Sequence, residues 1–89
     1  MPNTKTALKR MKKAEVRRQR NRHVKSQVKT AIKRFEEALM QGDVDAAREK
    51  LLYASKIIDK ASAKGVLHKN NAARKKSLLA RKFNKLIAS

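Results

Sequence analysis

The chain contains no cysteine, two glycines, one proline and three aromatic residues, Phe35, Tyr53 and Phe83. Without cysteine, disulfides, thiolate metal sites and thiol nucleophiles are excluded. No apolar run approaches the roughly 20 residues that a membrane-spanning helix needs. The first residues carry no apolar segment behind their charge, so we expect no secretory leader. An 89-residue chain forms one domain at most, and these absences favour a small intracellular protein.

Acidic residues are scarce at both ends of the chain. Residues 1–34 contain 13 Lys and Arg against one acid, residues 35–63 contain four against six, and residues 64–89 contain eight against none. The formal net charge is +18. Because like charges repel and oppose a compact state, ends this poor in acids predict a polyanionic partner. Nucleic acid is the leading candidate, since each neutralised phosphate releases a condensed counterion.

The shortage of glycine and proline leaves few places where a helix can end. Gly42 and Gly65 divide the chain into three helical segments, and strand formers do not alternate over any useful stretch. The helices are expected at about residues 6–41, 43–64 and 68–87. Since short connections favour antiparallel neighbours, the sequence predicts an all-α fold: a three-helix bundle with a long N-terminal helix projecting beyond the bundle.

Apolar residues recur at helical spacing in each segment, which indicates one buried face per helix. The predicted stripes are Val24, Val28, Ile32, Phe35 and Leu39; Val44, Ala47, Leu51, Ala54, Ile58 and Ala61; and Leu79, Phe83 and Leu86, with Ala72 or Ala73 and Leu78 as further candidates. Before residue 24 the stripe thins. We therefore expect a single domain over residues 1–89, with residues 1–23 a basic helical extension and residues 24–89 the bundle.

Local signals predict the ends of the second helix. Asp43 can accept hydrogen bonds from free backbone N–H groups at its start. Gly65 suits the left-handed position after its last turn, with Val66 placed to contact Ala61. The acids of the central segment are expected to face solvent, away from the polyanion: Glu36, Glu37, Asp43, Asp45, Glu49 and Asp59.

The basic extension is the first candidate binding set. Successive helical residues point about 100° apart, so its cations surround the helix and suit a rod lodged among several phosphate-bearing strands. A solvated charged helix normally carries acids four residues away, and only Glu15 is available. The predicted contacts on the extension are Lys5, Lys9, Arg10, Lys12, Lys13, Arg17, Arg18, Arg20 and Arg22. Further contacts extending the same face are Lys25, Ser26, Lys29 and Lys33.

A second candidate set lies where the third helix begins. Backbone N–H groups at a helix start favour an anion, and short polar side chains there can donate hydrogen bonds. The set is expected to clamp a second nucleic-acid strand, and its plainer interpretation is a solubilising helix cap. Its members are His68, Lys69, Asn70, Arg74, Lys75 and Lys76.

The sequence predicts no catalytic residue, no metal site and no cofactor. There is no Gly-rich phosphate loop. His23 and His68 both sit among cations, so each is expected to donate to a phosphate or hydroxyl rather than bind a metal. Because both phenylalanines fall on core stripes, Tyr53 is the only aromatic left for stacking on a base. Structured RNA, recognised through phosphates, 2′-hydroxyls and shape, therefore fits better than single strands.

Three segments resemble a known family in order and spacing. The strongest is residues 64–77, with Lys-Gly, two apolar residues and then His-Lys-Asn-x-Ala-Ala-Arg. The others are residues 21–33, with Lys25-Ser26 and Lys29-Thr30-x-Ile32-Lys33, and the opening residues 3–10. Over essentially the whole chain, the sequence resembles the family of bacterial small-ribosomal-subunit protein number twenty.

The resemblance implies a non-enzymatic structural protein of the small ribosomal subunit. Such a protein would form a three-helix bundle and bind small-subunit (16S) ribosomal RNA directly and early in assembly. It would act as a monomer within the cytoplasmic ribosome, beside other small-subunit proteins and away from membranes. Bacterial and organellar ribosomes are both compatible with the pattern.

Two other classes share parts of this pattern. A histone-like, DNA-compacting protein would use the same cations with little preference for folded RNA. A membrane-surface or calmodulin-target helix needs a broad apolar face. The first helix offers only a thin one upstream of residue 20, made of Leu8, Met11, Ala14 and Val16. An enzyme is the least expected class.

Overall fold

The computed structural model describes residues 4–88, which form three α-helices and no strand. The helices are α1 (Thr4–Gln41), α2 (Val44–Ala63) and α3 (Lys69–Ala88). The all-α prediction is confirmed, and each predicted boundary lies within two residues of the observed one. The prediction of no secretory leader concerns residues that lie largely outside the described range.

Both glycines adopt the left-handed backbone that the connections require, with φ of 73° at Gly42 and 76° at Gly65. At the end of α2, the N–H of Gly65 donates to the carbonyl of Ser62 and the N–H of Val66 donates to the carbonyl of Ala61, each at 3.0 Å. These two bonds form a Schellman motif, which satisfies carbonyls left free by the last turn. The predicted glycine end of α2 is confirmed.

The start of α2 is capped as its sequence predicts. Asp43 has extended backbone geometry, and its Oδ1 accepts a hydrogen bond from the N–H of Ala46 at 3.1 Å. The carbonyl of Asp43 accepts the first helical bond, from the N–H of Ala47 at 2.9 Å. Gly42 and Asp43 therefore reverse the chain within two residues and direct α2 back along α1.

Substituting Gly65 by Ala will lower the free energy of unfolding by about 1 kcal/mol, because a Cβ disfavours left-handed backbone. An added Cβ would meet no atom within 4 Å, so the loss is conformational rather than steric. Urea denaturation followed by circular dichroism measures it. Gly65→Asn is the matched control and should lose less, since Asn tolerates this conformation. Equal losses for Ala and Asn would contradict the explanation.

The core takes one large side chain from each helix. Phe35, Ile58 and Leu79 are the largest fully buried residues. The predicted stripes of α1 and α2 are confirmed as buried or half-buried, and Ala31 and Ala38 join the α1 stripe unpredicted. Leu78, a further candidate for the core, is instead 52% exposed because it points about 100° away from Leu79. The other buried residues are Val24, Val28, Ala47, Ala54, Ala61, Ala72 and Phe83.

Two of the acids that the sequence predicts to face solvent form ion pairs between helices. Glu36 Oε1 of α1 lies 2.8 Å from Lys82 Nζ of α3, and Asp59 Oδ1 of α2 lies 2.9 Å from Lys76 Nζ of α3. All four side chains remain partly exposed. Such pairs contribute little stability each. The two acids therefore face solvent and also connect α3 to its neighbours, and their orientation away from a polyanion stays a prediction.

The molecule is elongated because α1 extends well beyond the other helices. It measures 68 × 22 × 13 Å, and a 38-residue helix alone is about 57 Å long. Residues 5–20 are all exposed, Asn21 is half-buried, and Val24 is the first buried residue. The projection of the long helix is confirmed. Burial starts close to the predicted junction at residues 23 and 24, while the division of the domain there stays a prediction.

Candidate nucleic-acid interface

The projecting part of α1 carries cations along two grooves that meet at Arg17. A shallow groove on one side is lined by Arg17, Arg18, Arg22 and Lys25, with Ala14 and Asn21 between them. A second groove is lined by Lys12, Lys13, Val16, Arg17 and Arg20. Lys5, Lys9 and Arg10 lie exposed nearer the N-terminus. Positive charge therefore surrounds this part of the helix, as the 100° spacing predicts.

Glu15 is the one acidic residue on the projecting part of α1. Its Oε2 lies 3.6 Å from Nη1 of Arg18, and its Oε1 accepts a long hydrogen bond from Gln19 Nε2 at 3.4 Å. Both partners of the ion pair are largely exposed, so the pair is weak in water. Apart from Arg18, the cations between residues 5 and 22 form no ion pair within the described part of the chain. They are available to phosphates.

The two predicted binding sets meet at a groove that we call the junction groove. It is lined by three lysines above an apolar floor: Lys25 and Lys29 of α1 and Lys75 of α3, with Val28, Ile32 and Leu67 beneath them. Lys25 also lines the groove along the projection. A continuous cationic track therefore runs from Arg17 to Lys75, although these residues are far apart in the sequence.

His68 has a structural role at the start of α3 as well as its predicted one. Its Nδ1 accepts a hydrogen bond from the N–H of Asn70 at 3.2 Å, and its carbonyl accepts the first helical bond from Ala72. A neutral His68 in this geometry carries its proton on Nε2, which can donate to a phosphate or ribose oxygen. His68, Lys69 and Asn70 are all exposed, as is Arg74 one turn later.

Lys76 differs from the rest of its set. Its ammonium lies against Asp59 at 2.9 Å and the residue is half-buried. It joins α3 to α2, whereas Lys75, its neighbour, lines the junction groove. Contact of Lys76 with a polyanion stays a prediction.

The predicted face of Lys25, Ser26, Lys29 and Lys33 is divided by the structure. Ser26 lines a different groove, between α1 and α2. We call it the neutral groove because only one of its lining residues is a permanent cation: the lining is His23, Ser26, Gln27, Thr30, Ala31, Arg34 and Tyr53. Lys33 is exposed and lines neither groove. The neutral groove also contains residues that sequence reasoning left out of the site, among them Thr30 and Arg34. A repeat at spacings of four from Ser26 to Thr30 to Arg34 was the signal that could have identified them.

Side chains that could bind a metal are dispersed over the described part of the chain. Within residues 4–88 no group of three or more His, Cys, Asp or Glu residues is placed to hold a metal ion. His23 lines the neutral groove and His68 caps α3, so they do not form a pair. In the same range, none of the helices has the apolar length that crossing a membrane requires.

Comparison with known proteins gives one consistent family. The profile of the family described as "Ribosomal protein S20" matches residues 2–84. Small ribosomal subunit protein bS20 of Natranaerobius thermophilus is 59% identical over 86 residues, covering 97% of this chain and 98% of the relative. The bS20 proteins of Pelotomaculum thermopropionicum (55%, covering 97% and 98%) and Nocardia farcinica (52%, covering 97% and 100%) are similar over the same length of 86 residues.

Proposed function

Because this chain belongs to the ribosomal protein S20 family, we propose that it is a structural component of the small ribosomal subunit that binds 16S ribosomal RNA directly. The names of its relatives place those proteins in the small subunit. The proposed role is structural rather than catalytic: the protein stabilises the fold of the RNA during assembly.

The continuous cationic track carries this proposal. Arg17, Arg22, Lys25, Lys29 and Lys75 form one path over the projection and the junction groove, and none of them forms an ion pair within residues 4–88. A path of this kind matches the spaced phosphates of a nucleic-acid backbone. Each phosphate it neutralises releases a counterion, which favours binding.

The shape of α1 supports contact with several RNA segments at once. Its cations line two grooves and point in different directions around a helix that extends far beyond the bundle. RNA helices that pack together bring their phosphates close, and those charges repel. A cationic rod between them lowers the repulsion, so that the protein stabilises a folded arrangement of RNA rather than one isolated duplex.

Recognition through backbone and shape is consistent with the side chains present. The major groove of A-form RNA is too deep and narrow for side chains to read, so duplex RNA is bound through phosphates and 2′-hydroxyls. Lysine and arginine dominate the track, and exposed Asn70 and His68 Nε2 can reach hydroxyls at its end. This set of groups distinguishes RNA from DNA by the 2′-hydroxyl.

The alternative is a histone-like, DNA-compacting protein, and a competition experiment separates the two. Labelled 16S ribosomal RNA bound to the protein is challenged with unlabelled 16S RNA or duplex DNA at equal phosphate concentration and about 0.15 M salt. We expect the DNA to be at least about tenfold less effective, because base-independent DNA binding is weak at this salt. Equal competition by DNA would support the histone-like function instead.

A further inference from the structure

The neutral groove between α1 and α2 differs in chemistry from the rest of the basic surface. Six of its lining side chains can form hydrogen bonds, yet only one of them is a permanent cation. By contrast, three lysines line the junction groove. The six side chains are His23, Ser26, Gln27, Thr30 and Arg34 of α1 and Tyr53 of α2.

The polar side chains of this groove are not paired with other residues of the described chain. None of the six side chains makes a hydrogen bond or ion pair to another residue within 4–88. All six residues are exposed, and Tyr53 leaves half of its surface uncovered. Helix formation and core packing therefore do not explain why a tyrosine and two hydroxyl residues gather beside the one arginine.

The neutral groove lies on the other side of α1 from the junction groove. The two share no lining residue, and they flank the buried stripe of α1, with Val28 at the edge of one and Ala31 at the edge of the other. A strand laid along the cationic track would therefore leave the neutral groove uncovered. Whatever occupies this groove is a separate contact.

We propose that the neutral groove binds one unpaired nucleotide of the RNA, with its base stacked on the ring of Tyr53. This inference rests on the proposed function. An exposed aromatic ring accepts any base face. Hydroxyls at Ser26 and Thr30 suit a ribose, whose 2′-hydroxyl both donates and accepts, and Arg34 suits the single phosphate of one nucleotide. A duplex would need several cations along this face, and the groove has one.

Substitutions at Tyr53 test the stacking directly, with affinity for 16S ribosomal RNA measured over a range of salt. We expect Tyr53→Ala to bind about tenfold more weakly with an unchanged salt slope, because stacking neutralises no phosphate. Tyr53→Phe keeps the ring and should bind within about twofold of wild type. Chemical probing of the RNA should show one nucleotide protected by wild type and by Tyr53→Phe but reactive with Tyr53→Ala. Leu52→Ala, at an adjacent residue that is 68% exposed and outside the groove, is the matched control and should match wild type.

Wild-type affinity and an unchanged footprint for Tyr53→Ala would overturn the proposal, and so would equal losses for Ala and Phe. Circular dichroism checks that each variant is folded. If Tyr53→Ala loses helicity, the double variant Ser26→Ala/Thr30→Ala replaces it, since alanine preserves the helix. That variant should bind about fivefold more weakly, and undiminished binding would again refute the site. If the wild-type protein itself fails to bind 16S RNA, it is the proposed function that is wrong.

Discussion

Replacing Arg17, Arg22 and Lys25 together by Gln is expected to weaken binding to 16S ribosomal RNA about 100-fold at 0.15 M salt. All three line one groove of the projection, and Lys25 continues into the junction groove. Each lost phosphate contact lowers the slope of log affinity against log salt by about 0.7–0.9. The three together should flatten the slope by about 2–3, so the affinities of variant and wild type should converge near 1 M salt. Filter binding over a salt series measures both quantities.

A second triple variant with the same loss of charge separates the effect of where the cations lie from the effect of net charge. Lys56, Lys60 and Lys64 are exposed and line none of the basic grooves described above. Their replacement by Gln should reduce affinity by less than about threefold, because only screened, long-range attraction is lost. Gln is a good helix former, so both variants should keep their helicity. Equal losses in the two triples would show that net charge alone drives binding, and the cationic track would be refuted.

Truncating Phe35 to Ala is expected to lower the free energy of unfolding by about 4 kcal/mol. The side chain is 0% exposed and belongs to one core cluster with buried residues of α2 and α3, so its removal loses apolar burial and leaves a cavity. The free energy of unfolding of a small domain is only about 5–15 kcal/mol, so the melting temperature should fall by about 20 °C. The loss of core packing should also disturb the junction groove. The junction groove needs α1, α3 and the connection before α3 to stay packed together.

Met40→Ala is the matched control for this experiment. Met40 lies in the same helix and is 89% exposed, so its truncation should change stability by less than about 0.5 kcal/mol. Thermal and urea unfolding followed by circular dichroism compare the two variants with wild type. A change below about 1 kcal/mol for Phe35→Ala would mean that the three helices do not share a common core around this ring.

The limits of each helix were predictable because their signals are local. Asp43 caps α2 with its own side chain, and Gly65 ends it through bonds to residues three to five positions away. The stripe from Val24 to Leu39 follows from the helical repeat alone. Alanines of the core were harder to recognise, since Ala31 and Ala38 are buried but alanine is also common on exposed helix faces.

The charge pattern of the sequence predicts the class of partner, but it does not predict the position and pairing of each cation on the surface. The sequence indicates that cations surround the projection, because a run of basic residues on a helix must face all ways. It does not show which cations are paired. Lys76 and Lys82 form ion pairs with Asp59 and Glu36 across helices, and such pairs depend on contacts distant in the sequence.

The sequence by itself determined the three helices, their buried faces, the excess of cations at both ends and the family resemblance, since all of these depend on neighbouring residues or on order along the chain. Only the tertiary structure decided that Lys75 lies beside Lys25 and Lys29, and that Ser26 faces Tyr53 in a separate groove. The physical reason is that these placements depend on how each helix is rotated about its axis when packed. Contacts such as those around Phe35, Ile58 and Leu79 set that rotation, and they join residues that no local pattern connects.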